Sequence, residues 1–203
     1  MAAPRDIVDS LECVLSVYFS GVRHNHRAAF ILCDELVEVT PRAKIKEKVF
    51  NPGQLNFHQL LRHAETLLDP HSQPLGKRLQ ATHKTRNDMQ HNNAAAAVDV
   101  QHCADAICDA VECIEHCFSG ARKDLPDRLK IALRVVRIYS TNGDPTHRNA
   151  FEASMLKHPW RGQAERANSS EVIIAPGRRC YWGLVVMSEV VAIDTILRRI
   201  NAP

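Results

Sequence analysis

The chain contains no CxxC pair, no glycine-rich phosphate loop, no nucleophile elbow and no HExxH motif. These absences remove the usual signatures of paired-cysteine zinc sites, P-loop nucleotide enzymes, α/β-hydrolases and zinc proteases. A long hydrophobic run is also missing. The longest apolar stretches, 94–98 and 181–187, fall far short of the ~20 residues that a membrane-spanning helix requires, so no membrane segment is expected. The opening MAAPRDIVDSLE has acidic residues where a secretory signal needs a basic stretch and then an apolar run. The expected location is the cytoplasm. There is no internal repeat.

What is present is a composition suited to folding. Of 203 residues, 45% are apolar and 24% charged, which is too apolar for a disordered chain and ordinary for one domain, alone or with an extension. The net charge of +3 hides an asymmetry: residues 1–120 carry 12 Lys/Arg against 15 Asp/Glu, and residues 121–203 carry 14 against 8. The C-terminal part is therefore the better electrostatic candidate for meeting a polyanion. Four of the seven cysteines lie along one segment, at Cys103, Cys108, Cys113 and Cys117, beside His102 and His116. Residues on one rigid helix cannot wrap tetrahedrally around zinc. They read as small apolar core residues in a reducing compartment, and no metal site is assigned.

Hydrophobic periodicity points to helices throughout. Ile7, Leu11, Val14, Leu15 and Tyr18 recur at three- and four-residue intervals, and after the interruption 21–26 the pattern resumes at Ala29, Phe30, Cys33, Leu36 and Val37. This predicts one long helix or two abutting ones, ending near Val39 ahead of Pro41. His24-Asn25-His26 reads as a polar helix interruption. A loop is expected around Asn51-Pro52-Gly53, then a helix over 55–68 and a short one from Pro74. Residues 81–93 are polar and basic, and 94–118 predicts a long helix with Val100, Cys103, Ile107, Val111, Ile114 and Phe118 on its apolar stripe and Asp99, Asp105, Asp109 and Glu112 on its solvated face. Leu125-Pro126-Asp127 opens another helix to Tyr139, and Asn142-Gly143-Asp144-Pro145 closes it as a turn. The expectation is an all-α antiparallel bundle over 5–140. A mainly helical extension over 141–203 packs on it, with a short helix over 146–158, an extended segment at 171–175 and a terminal helix over 179–200.

The segment His83-Lys84-Thr85-Arg86-Asn87-Asp88-Met89-Gln90-His91 carries the chemistry. On a helix Asn87 and His91 lie about 40° apart, sharing a face, whereas Arg86 and His91 lie about 140° apart. One chain thus presents an incomplete site, which a two-fold axis would complete with two imidazoles and two guanidiniums. Metal-free RNA cleavage needs a base for the ribose 2'-OH, an acid for the leaving 5' oxygen and cations for the charge growing on phosphorus. Histidine and arginine supply these at neutral pH. His83 and Lys84 are positioned in sequence to touch phosphate. Asp88 reads as a first-turn residue favoured by the helix dipole.

Arg86-Asn-Asp-Met-Gln-His91, placed at the head of the last long bundle helix, resembles the R-x4-6-H motif of the HEPN family, and Asn87 fits the small polar residue that often follows the family's arginine. The text 27–38, Arg27-Ala-Ala-Phe-Ile-Leu-Cys-Asp-Glu-Leu-Val-Glu, is similar to the family's early helix, where an apolar stretch ends in an acidic residue. The resemblance covers about residues 5–120 and implies a homodimer that cleaves RNA without metal or cofactor, leaving a 2',3'-cyclic phosphate. Such proteins serve toxin-antitoxin, abortive-infection or other antiviral systems, so the partners implied are an RNA substrate and an antitoxin or defence protein. In that reading His91 is the general acid/base, Arg86 stabilises the transition state and Asn87 orients phosphate or His91. A subgroup partnered with nucleotidyltransferases has tyrosine two residues after the histidine. Here that position is Asn93. The rival expectation is a catalytically silent helical module binding RNA, a nucleotide or a protein.

Overall fold

A computed structural model describes residues 3–20, 24–46, 51–64, 68–91, 98–157, 172–175 and 178–180. Eight α-helices make up nearly all of it, and the fold is an all-α bundle. No helix among the described residues is long and apolar enough to cross a membrane.

Helix α1 (Arg5–Tyr18) buries the five residues that its periodicity singles out, Ile7, Leu11, Val14, Leu15 and Tyr18. The interruption that follows separates two helices. Asn25 is buried and its amide donates to the Tyr18 and Ser20 carbonyls, both at 2.7 Å, satisfying acceptors that the end of α1 would otherwise leave orphaned. His24 sits in the left-handed region at φ 65°. α2 then runs Asn25–Ile45, through Pro41 rather than stopping near Val39. An interior proline costs about 3 kcal/mol, and burying one large aliphatic side chain contributes about 1.5–3 kcal/mol. Both Pro41 and Ile45 are buried, Arg42 pairs with Glu38 one turn back, and the Thr40 hydroxyl donates to the Leu36 carbonyl. Packing outweighs the proline.

The expected loop at 51–53 contains a 3-10 turn, Pro52–Gln54, entered by Asn51 at φ 58°. Helix α3 (Phe57–Ala64) is shorter than the predicted 55–68. Its start is set by a reciprocal capping box: Asn56 Oδ1 accepts from the Gln59 backbone N–H, and Gln59 Oε1 accepts from that of Asn56. Residues 65–67 lie outside the described residues.

The largest departure from expectation is α4, an 18-residue helix over Pro74–His91 where a short helix and a polar segment are predicted. It buries only Leu75, Gly76, Leu79 and Met89, too few for a clear helical period. α5 (Val100–Cys117) starts late, because Asp99 caps it by accepting from the His102 N–H at 2.8 Å. Its apolar stripe is buried as expected, with Val100 only partly so. Its acidic face is partly covered: Arg78 binds Asp109 and Glu112, and Asp105 accepts from Thr141.

A turn at Gly120 (φ 85°) leads into α6 (Ala121–Asp124), and Pro126 precedes α7 (Asp127–Tyr139). α8 (Pro145–Lys157) follows the turn at 140–144. β1 (Val172–Ala175) pairs antiparallel with β2 (Arg178–Cys180), Val172 opposite Cys180. Strand pairing therefore replaces the first residues of the terminal helix predicted from Arg179. The remainder of that prediction, 181–200, lies outside the described residues. α2 and α5 form the centre: α2 packs on α1, α3, α4 and α5, and α5 on α2, α4 and α7.

Candidate functional site

The motif residues occupy the last turns of α4, not the head of the last long helix. Nothing after Gly76 breaks the helix, since 77–91 contains neither glycine nor proline. Met89 is buried beneath this end, and Arg27 of α2 donates to the Met89 carbonyl at 3.3 Å.

On the inner side of α4 lies Asp34 of α2, whose side chain is 0% exposed. The His83 Nδ1 is 3.1 and 3.0 Å from its two carboxylate oxygens. Arg86 Nε stands 3.4 Å from Oδ2, as an ion pair without hydrogen-bond alignment, because Nε is buried and lacks an aligned acceptor. The guanidinium is fixed at its other end, where Nη1 donates to Asn87 Oδ1 at 3.0 Å. The Phe57 ring of α3 lies against His83, centroids 3.9 Å apart and planes 3° from parallel. Three helices thus converge on one imidazole and one guanidinium.

Burial pushes the Asp34 carboxyl above the ordinary carboxylate range, against the pull of His83 and Arg86 and with a further push from Glu38. When ionised, Asp34 only accepts hydrogen bonds; its contact with Nδ1 then matches a proton on Nδ1 and a lone pair on Nε2 of the neutral ring.

The predicted site residues separate into two sets. Arg86 and Asn87 are hydrogen-bonded to each other, and His83 joins Arg86 through Asp34. His91 and Lys84 are exposed, and among the described residues no hydrogen bond or ion pair joins His91 to Arg86 or Asn87. Asp34 is the residue that sequence reasoning passed over as a site residue. Its signal was a carboxylate set among Phe30, Cys33 and Val37, on the buried face of α2.

Among the described residues no group of three or more His, Cys, Asp or Glu side chains is placed to hold a metal ion. Cys33, Cys103, Cys113 and Cys117 are buried in the core, and burial pushes the half-buried Cys108 thiol up to about 11. A separate cavity of about 680 Å³, lined by Arg78, Cys108, Asp109, Arg137 and Thr141 among others, does not include the Arg86 cluster. Compared with known proteins, the chain matches no family model, no curated protein and no solved structure.

Proposed function

We propose that this protein is a metal-independent endoribonuclease of the HEPN type, acting as a homodimer in a toxin-antitoxin or antiviral defence setting. The observation that carries the reading is the anchoring of Arg86. It is held from below by a fully buried carboxylate and from the side by Asn87, while the exposed His91 stands one helical turn beyond Asn87. A guanidinium whose geometry is fixed before substrate arrives can stabilise charge developing on phosphorus without reorganising. His91, free in solvent, is available to exchange protons with RNA oxygens. The substrate is RNA because its 2'-OH supplies the nucleophile and no other activated nucleophile is needed.

The test is incubation of wild type and His91→Ala with total RNA in the presence of EDTA. The reading expects fragments with 2',3'-cyclic phosphate and 5'-OH ends from wild type, and intact RNA from the variant. RNA left uncut by wild type would count against it.

One observation favours the rival, a silent binding module: the Arg86–Asp34 pair crosses from α4 to α2, giving the arginine a structural task independent of chemistry. Under that reading Arg86→Ala lowers stability, whereas His91→Ala leaves the cellular output unchanged.

A further inference from the structure

Resting on the ribonuclease reading, we propose that His83 is a second acid/base residue of the site, oriented by Asp34, so that each protomer carries its own base beside its phosphate-binding arginine. The symmetric scheme asks the partner copy to supply the second imidazole. The geometry offers one closer at hand.

His83 is held from two directions. Asp34 fixes its Nδ1, at 3.0 and 3.1 Å from the carboxylate oxygens, and Phe57 fixes the plane of its ring. What remains is Nε2, which has no partner among the described residues and is not among the buried unsatisfied atoms. A carboxylate-oriented imidazole with its distal nitrogen free is the arrangement that general-base catalysis uses. The same Asp34 Oδ2 contacts Arg86 Nε, so imidazole and guanidinium are tied to one oxygen and cannot lie far apart. A phosphodiester bound to the free end of Arg86 is brought next to His83. The ring meets the carboxylate of Asp34 from α2, and the charged groups acting on that carboxylate besides the ring are Arg86 of α4 and Glu38 of α2, the latter paired with Arg42. α3 meets it with the uncharged Phe57 ring.

In the reaction Nε2 of His83 removes the 2'-OH proton as the 2' oxygen bonds to phosphorus. The bond from phosphorus to the 5' oxygen breaks, and that oxygen takes a proton from a His91 imidazolium of the proposed dimer. The products are a 2',3'-cyclic phosphate and a 5'-OH. His83 ends protonated and His91 neutral, and solvent exchange restores both.

The experiment compares wild type, His83→Gln, His83→Ala and His91→Ala in the chelator-containing RNA assay across pH, with thermal melts of each. A general base contributes about 100- to 10,000-fold, so His83→Gln is expected to lose at least about a hundredfold in kcat and the acid limb of the pH profile. His83→Ala regains activity when imidazole is added. Cleavage by His83→Gln within a few-fold of wild type, with both limbs intact and His91→Ala inactive, overturns the role of His83 and leaves the ribonuclease reading standing. Absence of cleavage by wild type overturns that reading and the role of His83 with it. A folding-independent check uses wild type with isotope-labelled histidine and a 2'-O-methylated oligoribonucleotide. The His83 Nε2 resonance is expected to shift on binding, and an unmoved resonance beside shifted His91 signals overturns the proposal.

Discussion

Phe57 and His83 stack face to face, with ring centroids 3.9 Å apart and planes 3° from parallel, joining α3 to α4 beside the buried carboxylate of Asp34. Aromatic pairs of this kind contribute about 0.5–1.5 kcal/mol beyond the area they bury. A double-mutant cycle of Phe57→Leu and His83→Gln, followed by urea denaturation, is expected to show a coupling energy in that range. Losses that simply add would mean that the stack contributes nothing.

Asn87 bears on the proposed chemistry through Arg86, to which it is hydrogen-bonded at 3.0 Å. Replacing it with alanine frees the guanidinium and removes a bond with a net value of about 1 kcal/mol. Expressed as a rate, this is a fall of about fivefold in kcat for RNA cleavage. The melting temperature of Asn87→Ala should fall by only a few degrees, as a loss of about 1 kcal/mol implies.

Gly76 packs so closely on the segment before α4 that an added Cβ would collide with the Leu68 carbonyl and approach the Asp69 backbone carbon to 2.7 Å. Helix propensity alone favours alanine over glycine by about 1 kcal/mol. The obstacle here is backbone, which cannot rotate away, and overpacking costs about 1–3 kcal/mol. Gly76→Ala is expected to be less stable than wild type in chemical denaturation, the reverse of the propensity ranking.

Asp99 gives a pH signature. Its carboxylate accepts from the His102 N–H, and that bond holds it below its ordinary value of 3.8. A depressed folded-state value means that its stabilisation is complete above pH 3.8 and lost as pH falls through the lower folded value. Asp99→Ala should therefore cost about 1 kcal/mol at neutral pH, in the range for removal of an N-cap. The difference from wild type should shrink below pH 3.8, as measured by denaturation at both pH values.

The bidentate pair between Arg128 and Glu12 links α7 to α1 at 2.9 and 2.7 Å. Its side chains are 43% and 30% exposed, so solvent screens them. Glu12→Gln should cost less than about 1 kcal/mol, with most of that loss vanishing in high salt.

Helices whose apolar residues form a stripe were legible in the sequence. α1 buries the residues that its spacing predicts, and α5 does so with Val100 only partly covered. Two errors have one origin, because local signals were weighed without the packing that opposes them. Pro41 reads as a stop, yet Ile45 beyond it is buried. The helix from Pro74 reads as short because 81–91 is polar and basic, yet it continues to His91, held by Met89 and by polar links from Arg27 and Asp34. The candidate cluster was partly legible: Arg86, Asn87 and His83 were all singled out in the sequence, but not what holds His83. Its carboxylate partner sits 49 residues away, at Asp34. No local pattern pairs residues across that separation.

Phe151 of α8 is 0% exposed and belongs to the main core. Just ahead of it Thr141 donates its N–H and its hydroxyl to the two oxygens of Asp105, at 2.7 and 2.6 Å. For protein engineering this fixes a minimum length. A splice placed directly after Tyr139 would open a phenylalanine-sized hole and strip α5 of two hydrogen bonds at once. Fusions or replacements of the C-terminal residues are better joined beyond Glu152, whose carboxylate also accepts from the Tyr139 hydroxyl and Arg148.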